Sequence, residues 1–137
     1  MTPHAILLAL LFAIALPANA KGGCSLATLK GQYAFTGQGI IEALEPGVQR
    51  MHYGFFRFDG AGRMTGKQSS SRGGRIGREA LEGTYTLDAD CAGTMTFSFA
   101  GNPRSETHWD VYVADGGRKG NMIRMDEGNM AVRSFEK

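Results

Sequence analysis

The strongest constraint on the fold is an alternation of apolar and polar residues that recurs in eight short segments. A period of two residues is typical of a β-strand with one buried and one exposed face. No amphipathic helix of convincing length accompanies these segments, and residues 25–30 could form at most one helical turn. The predicted strands, with ends placed to within about two to four residues, are 32–41, 50–58, 63–70, 79–87, 94–100, 106–114, 121–126 and 130–135.

Short connections join these segments, and glycine, with 20 residues in the chain, is abundant in them. Glycine supplies the positive φ that tight hairpin turns require, and such turns are predicted at 59–62, 115–117 and 127–129. Consecutive hairpins without helical crossovers indicate an antiparallel meander. Eight meandering strands lose their exposed edges if they close into a barrel. We therefore predict an all-β, eight-stranded antiparallel up-and-down barrel, with a two-sheet β-sandwich as the alternative.

The alternation also predicts which side chains face the interior. In the second strand His52 has the same parity as Phe56 and Phe58, so it is expected to point inward near the mouth of the barrel. The other sets with inward parity are Tyr33 with Phe35, Leu81 with Tyr85 and Leu87, Met95 with Phe97 and Phe99, and Trp109 with Val111 and Val113.

The first twenty residues have the pattern of a signal peptide. An apolar run covers residues 5–16, Pro17 ends it, and Ala18-Asn19-Ala20 matches a cleavage site. The run is too short to span a bilayer, and nothing after it resembles a transmembrane helix. We expect export, periplasmic or secreted, with cleavage near Ala20. The mature chain, residues 21–137, then has the length of a single domain.

Both cysteines lie in the expected mature chain. In an exported protein an even number of cysteines favours a disulfide, so Cys24 is expected to pair with Cys91. The bond would hold the N-terminal segment against the 88–93 turn, and the loop-closure entropy corresponds to about 4 kcal/mol of stabilisation. Lipidation of Cys24 is the disfavoured alternative, because Lys21 stands where an apolar residue would be needed.

Four stretches together resemble a known group of proteins. They are CSLATLKGQYAF at 24–35, FDGAG at 58–62, GTYTLDADCAGT at 83–94 and VADGG at 113–117. This pattern is similar to that of small exported bacterial proteins of unknown function. The resemblance implies a calycin-type or allene-oxide-cyclase-like barrel, and it brings no catalytic residues to assign.

Motifs for metal or cofactor chemistry are weak. His52, His108 and Asp110 could supply metal ligands, but His52 and His108 are expected on opposite sides of the wall. The Asp88-x-Asp90 stretch lacks the glutamate that a calcium loop needs at its twelfth position. No nucleophile elbow and no dinucleotide loop is present. We predict no metal and no cofactor.

Two candidate binding regions follow from this fold. Tyr33, His52, Tyr85 and Trp109 could line an apolar pocket with a few polar groups, although filling of the interior by the same aromatic residues is the simpler interpretation. The stretch SSSRGGRIGR predicts a flexible basic hairpin tip in which Arg72, Arg75 and Arg78 could contact an anionic surface. A solvated loop is again the simpler interpretation, and nucleic acid is not expected because no aromatic residues are interleaved.

Three functional hypotheses therefore remain for a monomeric exported barrel. The first is a binding protein for a small apolar molecule. The second is a cyclase or isomerase in which His52 exchanges a proton in the cavity. The third is a structural or interaction protein of the cell envelope that uses the outer wall or the basic tip. Enzymatic activity is the less favoured of these, and the sequence predicts no transmembrane segment.

Overall fold

The described part of the chain forms eight strands and two single turns of 3-10 helix. The computed structural model describes residues 23–41 and 46–137, so the predicted signal peptide lies outside the described residues. The 3-10 turns are η1 (Leu26–Thr28) and η2 (Asp115–Gly117). The strands are β1 (Lys30–Ile41), β2 (Gln49–Asp59), β3 (Arg63–Arg72), β4 (Arg75–Tyr85), β5 (Ala92–Phe99), β6 (Asn102–Ala114), β7 (Lys119–Arg124) and β8 (Asn129–Glu136).

The strands close into an antiparallel up-and-down barrel. Each strand pairs with its neighbour in the chain, and β1 pairs with β8 from Ala34↔Glu136 to Ile41↔Asn129. This last pairing removes both sheet edges and distinguishes a barrel from a sandwich. The prediction of an eight-stranded barrel is therefore confirmed, and the β-sandwich alternative is excluded.

The third hairpin is longer than the sequence predicts. The ladder between β3 and β4 continues to the pair Arg72↔Arg75, and Gly73 and Gly74 form the two-residue turn with φ of 52° and 86°. The stretch predicted as a flexible hairpin tip, 69–78, is a hairpin, but residues 69–72 and 75–78 pair with each other as regular strands. Serine and arginine there alternate between the two faces of paired strands, and only the two glycines lie outside the ladder.

The packed core occupies one half of the barrel. Tyr33 and Phe58 pack edge to face with ring centroids 5.3 Å apart, and Phe58 makes a similar contact with Tyr85 at 5.1 Å. Small residues opposite these rings make room for them. The ring of Phe135 lies directly over Gly120, where a Cβ atom would collide with it. Alternation of small and large inward residues is the usual way to fill a narrow barrel.

The N-terminal segment covers this packed half, which we call the closed end. The disulfide Cys24–Cys91 is formed, as predicted, and the Cys24 backbone N–H donates to the Ala89 carbonyl at 3.1 Å. Cys91 has a φ of 68°, a left-handed conformation that is uncommon for a residue with a side chain. The other end, where the hairpin turns 72–75, 99–102 and 124–129 lie, we call the open end.

Candidate functional site

A cavity of about 470 Å³ lies inside the open end of the barrel. Its size is within the range of about 300 to 1,000 Å³ found for small-molecule sites. The lining combines apolar side chains with basic and neutral polar ones. The main lining residues are Ile40, Arg50, His52, Gln68, Arg72, Phe97, Phe99, Thr107, Trp109, Arg124, Met130 and Arg133.

Strand parity brings these polar residues inside. On β8 Arg133 is two positions from Phe135, so both side chains face the interior. On β2 Phe56 and Phe58 are buried in the core, and His52 continues the same face toward the open end. The same inward face is therefore aromatic at the closed end and charged or polar at the open end. The prediction that His52 points inward is confirmed, since it is only 6% exposed.

Arg133 is the most buried charged group of the cavity, with 5% of the residue exposed. Aromatic rings surround its guanidinium, whose central carbon lies 4.7 Å from the centroid of Phe35, 5.0 Å from Trp109 and 5.1 Å from Phe97. Gly37 leaves space for the arginine, because a Cβ atom there would lie 2.6 Å from Cγ of Arg133. The guanidinium Nη1 donates to Oε1 of Gln68 at 3.1 Å.

His52 is a neutral group in this environment. Burial, followed by the positive charges of Arg133, Arg50 and Arg124, lowers the pKa of His52 to about 3. Desolvation and like charge both oppose a second cation in the same space. At neutral pH the imidazole therefore offers one N–H donor and one acceptor and adds no charge to the cavity.

Trp109 forms a rigid wall of the cavity. Its ring stacks on Phe97 at a centroid distance of 5.7 Å with 10° between the planes. The indole N–H donates to Oγ1 of Thr107 at 2.8 Å, and the Thr107 hydroxyl donates to the Phe97 carbonyl at 3.2 Å. Both contacts hold the ring orientation, so this wall is preorganised.

The four residues predicted to form one pocket are divided between the two ends of the barrel. His52 and Trp109 line the cavity, whereas Tyr33 and Tyr85 lie in the closed-end core. The Tyr33 hydroxyl donates to the Gly117 carbonyl at 2.7 Å, and burial raises the pKa of Tyr33. The Tyr85 hydroxyl lies 2.8 Å from the Leu26 carbonyl and 3.0 Å from the Leu29 carbonyl. The Tyr85 hydroxyl thus holds the N-terminal segment in place, and the Tyr33 hydroxyl holds the η2 turn.

The three arginines predicted to form a basic tip are also separated. Arg72 has inward parity and lines the cavity, whereas Arg75 and Arg78 are exposed. Arg78 faces outward from β4 beside Ser69 of β3. Pairing of the strands thus sends side chains from one basic stretch to opposite sides of the wall.

The two histidines with candidate metal-binding chemistry do not meet. His52 is inside the barrel, and His108 is exposed, with Nδ1 2.7 Å from Oδ1 of Asp126 and Nε2 3.2 Å from Oε1 of Glu106. The hydrogen bond with Asp126 raises the pKa of His108. Among residues 23–41 and 46–137 no group of three or more histidine, cysteine or acidic side chains could hold a metal ion.

No family model, curated protein or solved structure matches this chain. Within the described part of the chain, neither 3-10 turn is long or apolar enough to be a membrane-spanning helix. The cavity itself is therefore the principal observation bearing on function.

The sequence reasoning missed the residues that give the cavity its charge. Arg50, Arg124 and Arg133 were not singled out, although each has the parity of a core residue: Arg133 with Phe135, Arg124 with Met122 and Arg50 with Phe56. The signal in the sequence that could have identified them is an arginine on the apolar face of a predicted strand.

Proposed function

We propose that this protein is an exported, monomeric, non-catalytic binding protein that holds one small amphipathic molecule in the open-end cavity. The observation that carries the proposal is the cavity itself, about 470 Å³ of space between an aromatic wall and a polar wall. A barrel of eight strands is just wide enough for one small ligand. The apolar part of the ligand would contact Trp109, Phe99 and Met130, and its polar part would face His52 and Gln68.

Export is supported by the signal-peptide pattern and by the disulfide. A disulfide between Cys24 and Cys91 suits an oxidising compartment. The resemblance to small exported bacterial proteins also supports export, and we propose that this chain is related to them. An exported barrel with a preorganised interior cavity fits a carrier or scavenger of small molecules.

Binding is favoured over the cyclase or isomerase hypothesis by the state of His52. General acid–base catalysis works best when the pKa of the group lies near the working pH. The pKa of His52 is lowered to about 3, with burial and the charges of three arginines as the causes. Such an imidazole is a weak base and is not protonated at neutral pH, so it is poorly suited to exchanging a proton with a substrate.

Native mass spectrometry of protein purified from its own source tests this proposal. We expect a bound small molecule on the wild-type protein. Ala131→Phe should lose it, because Ala131 is half-buried, lines the cavity and has no polar contact to disturb. Ala80→Phe is the matched control, since Ala80 is exposed on β4. Wild-type protein without any bound molecule, or equal occupancy in the two variants, would contradict the proposal.

A further inference from the structure

The guanidinium of Arg133 is buried without a carboxylate partner among the described residues. Among the described residues, the guanidinium donates one hydrogen bond, from Nη1 to Gln68. Its Nε is buried and has no hydrogen-bond partner there. Burial of an arginine normally requires an ion pair or a full set of acceptors, because an unsatisfied charged group is costly. The aromatic rings around it compensate in part through cation–π contacts. They supply no acceptor for the other four of the five N–H groups in the guanidinium.

Among the described residues, the carboxylate whose charge acts on Arg133 is that of Glu79, and it is linked to Arg133 only through Gln68. Glu79 Oε2 accepts from Nε2 of Gln68 at 3.1 Å, and its Oε1 lies 3.4 Å from the Ser70 hydroxyl. Gln68 therefore uses its oxygen for Arg133 and its nitrogen for Glu79. This amide relay leaves the carboxylate outside direct contact with the guanidinium, so Glu79 lowers the local charge but does not pair with Arg133.

Other cations reinforce the positive character of the site. Arg50 and Arg124 act on Arg133 as like charges, and together with burial they lower the pKa of Arg133 to about 9. The Arg124 charge is shared with Asp126, whose Oδ2 accepts from Nε at 2.8 Å. Arg133 stays protonated at neutral pH, while His52 beside it stays neutral. The interior of the open end thus contains a desolvated cation that faces a space of ligand size.

We infer that the polar end of the ligand is an oxyanion, such as a carboxylate, that pairs with the guanidinium of Arg133. This inference rests on the proposed function and adds the chemical class of the ligand. A guanidinium favours planar, doubly hydrogen-bonded oxyanions. The neutral imidazole of His52 can donate one further hydrogen bond to the same group. The body of the ligand is apolar, because Trp109 and Phe99 line the same cavity.

Two isosteric probes test the inference, namely benzoate and its neutral counterpart benzamide. Trp109 is the single tryptophan of the chain, so its indole N–H gives one resonance inside the cavity. Titration of 15N-labelled protein at neutral pH, followed at this resonance, measures the dissociation constant of each probe. We expect benzoate to bind roughly 10- to 100-fold more tightly than benzamide, as for a hydrogen-bonded charge.

Arg133→Gln is expected to abolish that preference, so that benzoate binds no more tightly than benzamide. Arg133→Met serves as a second variant, because an unbranched apolar side chain suits the aromatic surroundings. Arg78→Gln is the control, since it removes the same charge from an exposed outward position. A dispersed spectrum with a shifted indole resonance shows that each variant is folded.

Each other outcome overturns the inference in a recognisable way. Equal binding of the two probes, or a preference for benzoate that survives in Arg133→Gln, would refute the pairing of an oxyanion with Arg133. The proposed binding function would remain in place. If Arg78→Gln also loses the preference for benzoate, the preference comes from the net charge of the protein and not from Arg133. Failure of both probes to shift the indole resonance also overturns the inference, and the bound molecule sought by native mass spectrometry then decides the proposed function separately.

Discussion

At the scale of single residues, Arg133 and His52 show how one cavity gives two basic groups different protonation states. Both side chains are about 95% buried, with exposures of 5% and 6%. Burial disfavours the charged form of each side chain, and so does every positive charge nearby. The ordinary pKa of arginine is so high that Arg133 remains charged when its pKa is lowered to about 9, whereas histidine starts from 6.5 and becomes neutral. The cavity therefore keeps one fixed cation and one neutral donor and acceptor.

His52 is expected to make the fold sensitive to acid. Its folded pKa of about 3 is below the ordinary 6.5, so the unfolded chain binds the extra proton between these values. Stability is then full above pH 6.5 and falls as the pH decreases toward 3, by about 1.4 kcal/mol per pH unit from this group alone. Urea unfolding at several pH values between about 4 and 7 measures the slope. His52→Gln should flatten it.

His108 provides the control for this experiment. Its pKa is raised by Asp126, so its contribution is present below its ordinary pKa of 6.5 and is lost as the pH rises through the folded value. His108→Gln should therefore leave the acid slope unchanged. An undiminished slope in His52→Gln would refute the assignment.

At the scale of the elements, strands such as β2, β7 and β8 combine two environments along one inward face. β2 passes from Phe58 and Phe56 at the closed end to His52 and Arg50 at the open end. The 3-10 turn η1 has too few residues to be stable by itself. It is held by the disulfide and by the Tyr85 hydroxyl, which bridges the carbonyls of Leu26 and Leu29. The closed end is thus assembled from a segment that depends on the barrel for its conformation.

Tyr85→Phe should weaken this closure. The substitution removes the donor from two carbonyls, one of them in a fully buried contact, and should lower the free energy of unfolding by roughly 1 to 2 kcal/mol. Urea denaturation measures the loss. Tyr112→Phe is the matched control, because Tyr112 is 55% exposed on the outer wall and its replacement should change stability by less than about 0.5 kcal/mol. Equal effects of the two substitutions would refute this role of Tyr85.

At the scale of the whole molecule, the barrel is a continuous wall with an uneven interior. The closed half contains interlocked rings, among them Tyr33, Phe58 and Phe135 at centroid distances of 5.3 to 5.9 Å. The open half surrounds a cavity of about 470 Å³ and therefore has fewer apolar contacts. Regions with few buried contacts open locally at lower free energy than the packed core.

Hydrogen exchange should report this asymmetry. Amides near Tyr33, Phe58 and Tyr85 are expected to exchange through global unfolding, and amides near Arg50 and Asn129 at the open end through cheaper local openings. Residue-resolved exchange with increasing denaturant distinguishes the two regimes. Benzoate at saturation should slow exchange at the open end selectively, because it fills the cavity. Uniform protection along each strand, with and without the probe, would contradict this picture.

The fold was largely predictable because its determinants are local. Alternating residues place Met95, Phe97 and Trp109 inside without reference to any other part of the chain, and all three are buried. The cysteine pair was predictable for a related reason, since two cysteines in one chain have one possible partner each. The extent of the third hairpin was not predictable, because serine and arginine have little strand preference and only the pairing of β3 with β4 orders them.

The sequence by itself therefore determined the strands, the inward faces and the Cys24–Cys91 bond, because period-two patterns and turn glycines act between near neighbours. Only the tertiary structure decided which inward residues meet. Closure of β1 on β8 brings Arg133 beside Phe35, and it sets His52 and Trp109 around one cavity while Tyr33 and Tyr85 remain at the far end. The physical reason is that the stagger of eight strands around a barrel is a long-range property, and that stagger decides whether an inward side chain meets packed rings or open space.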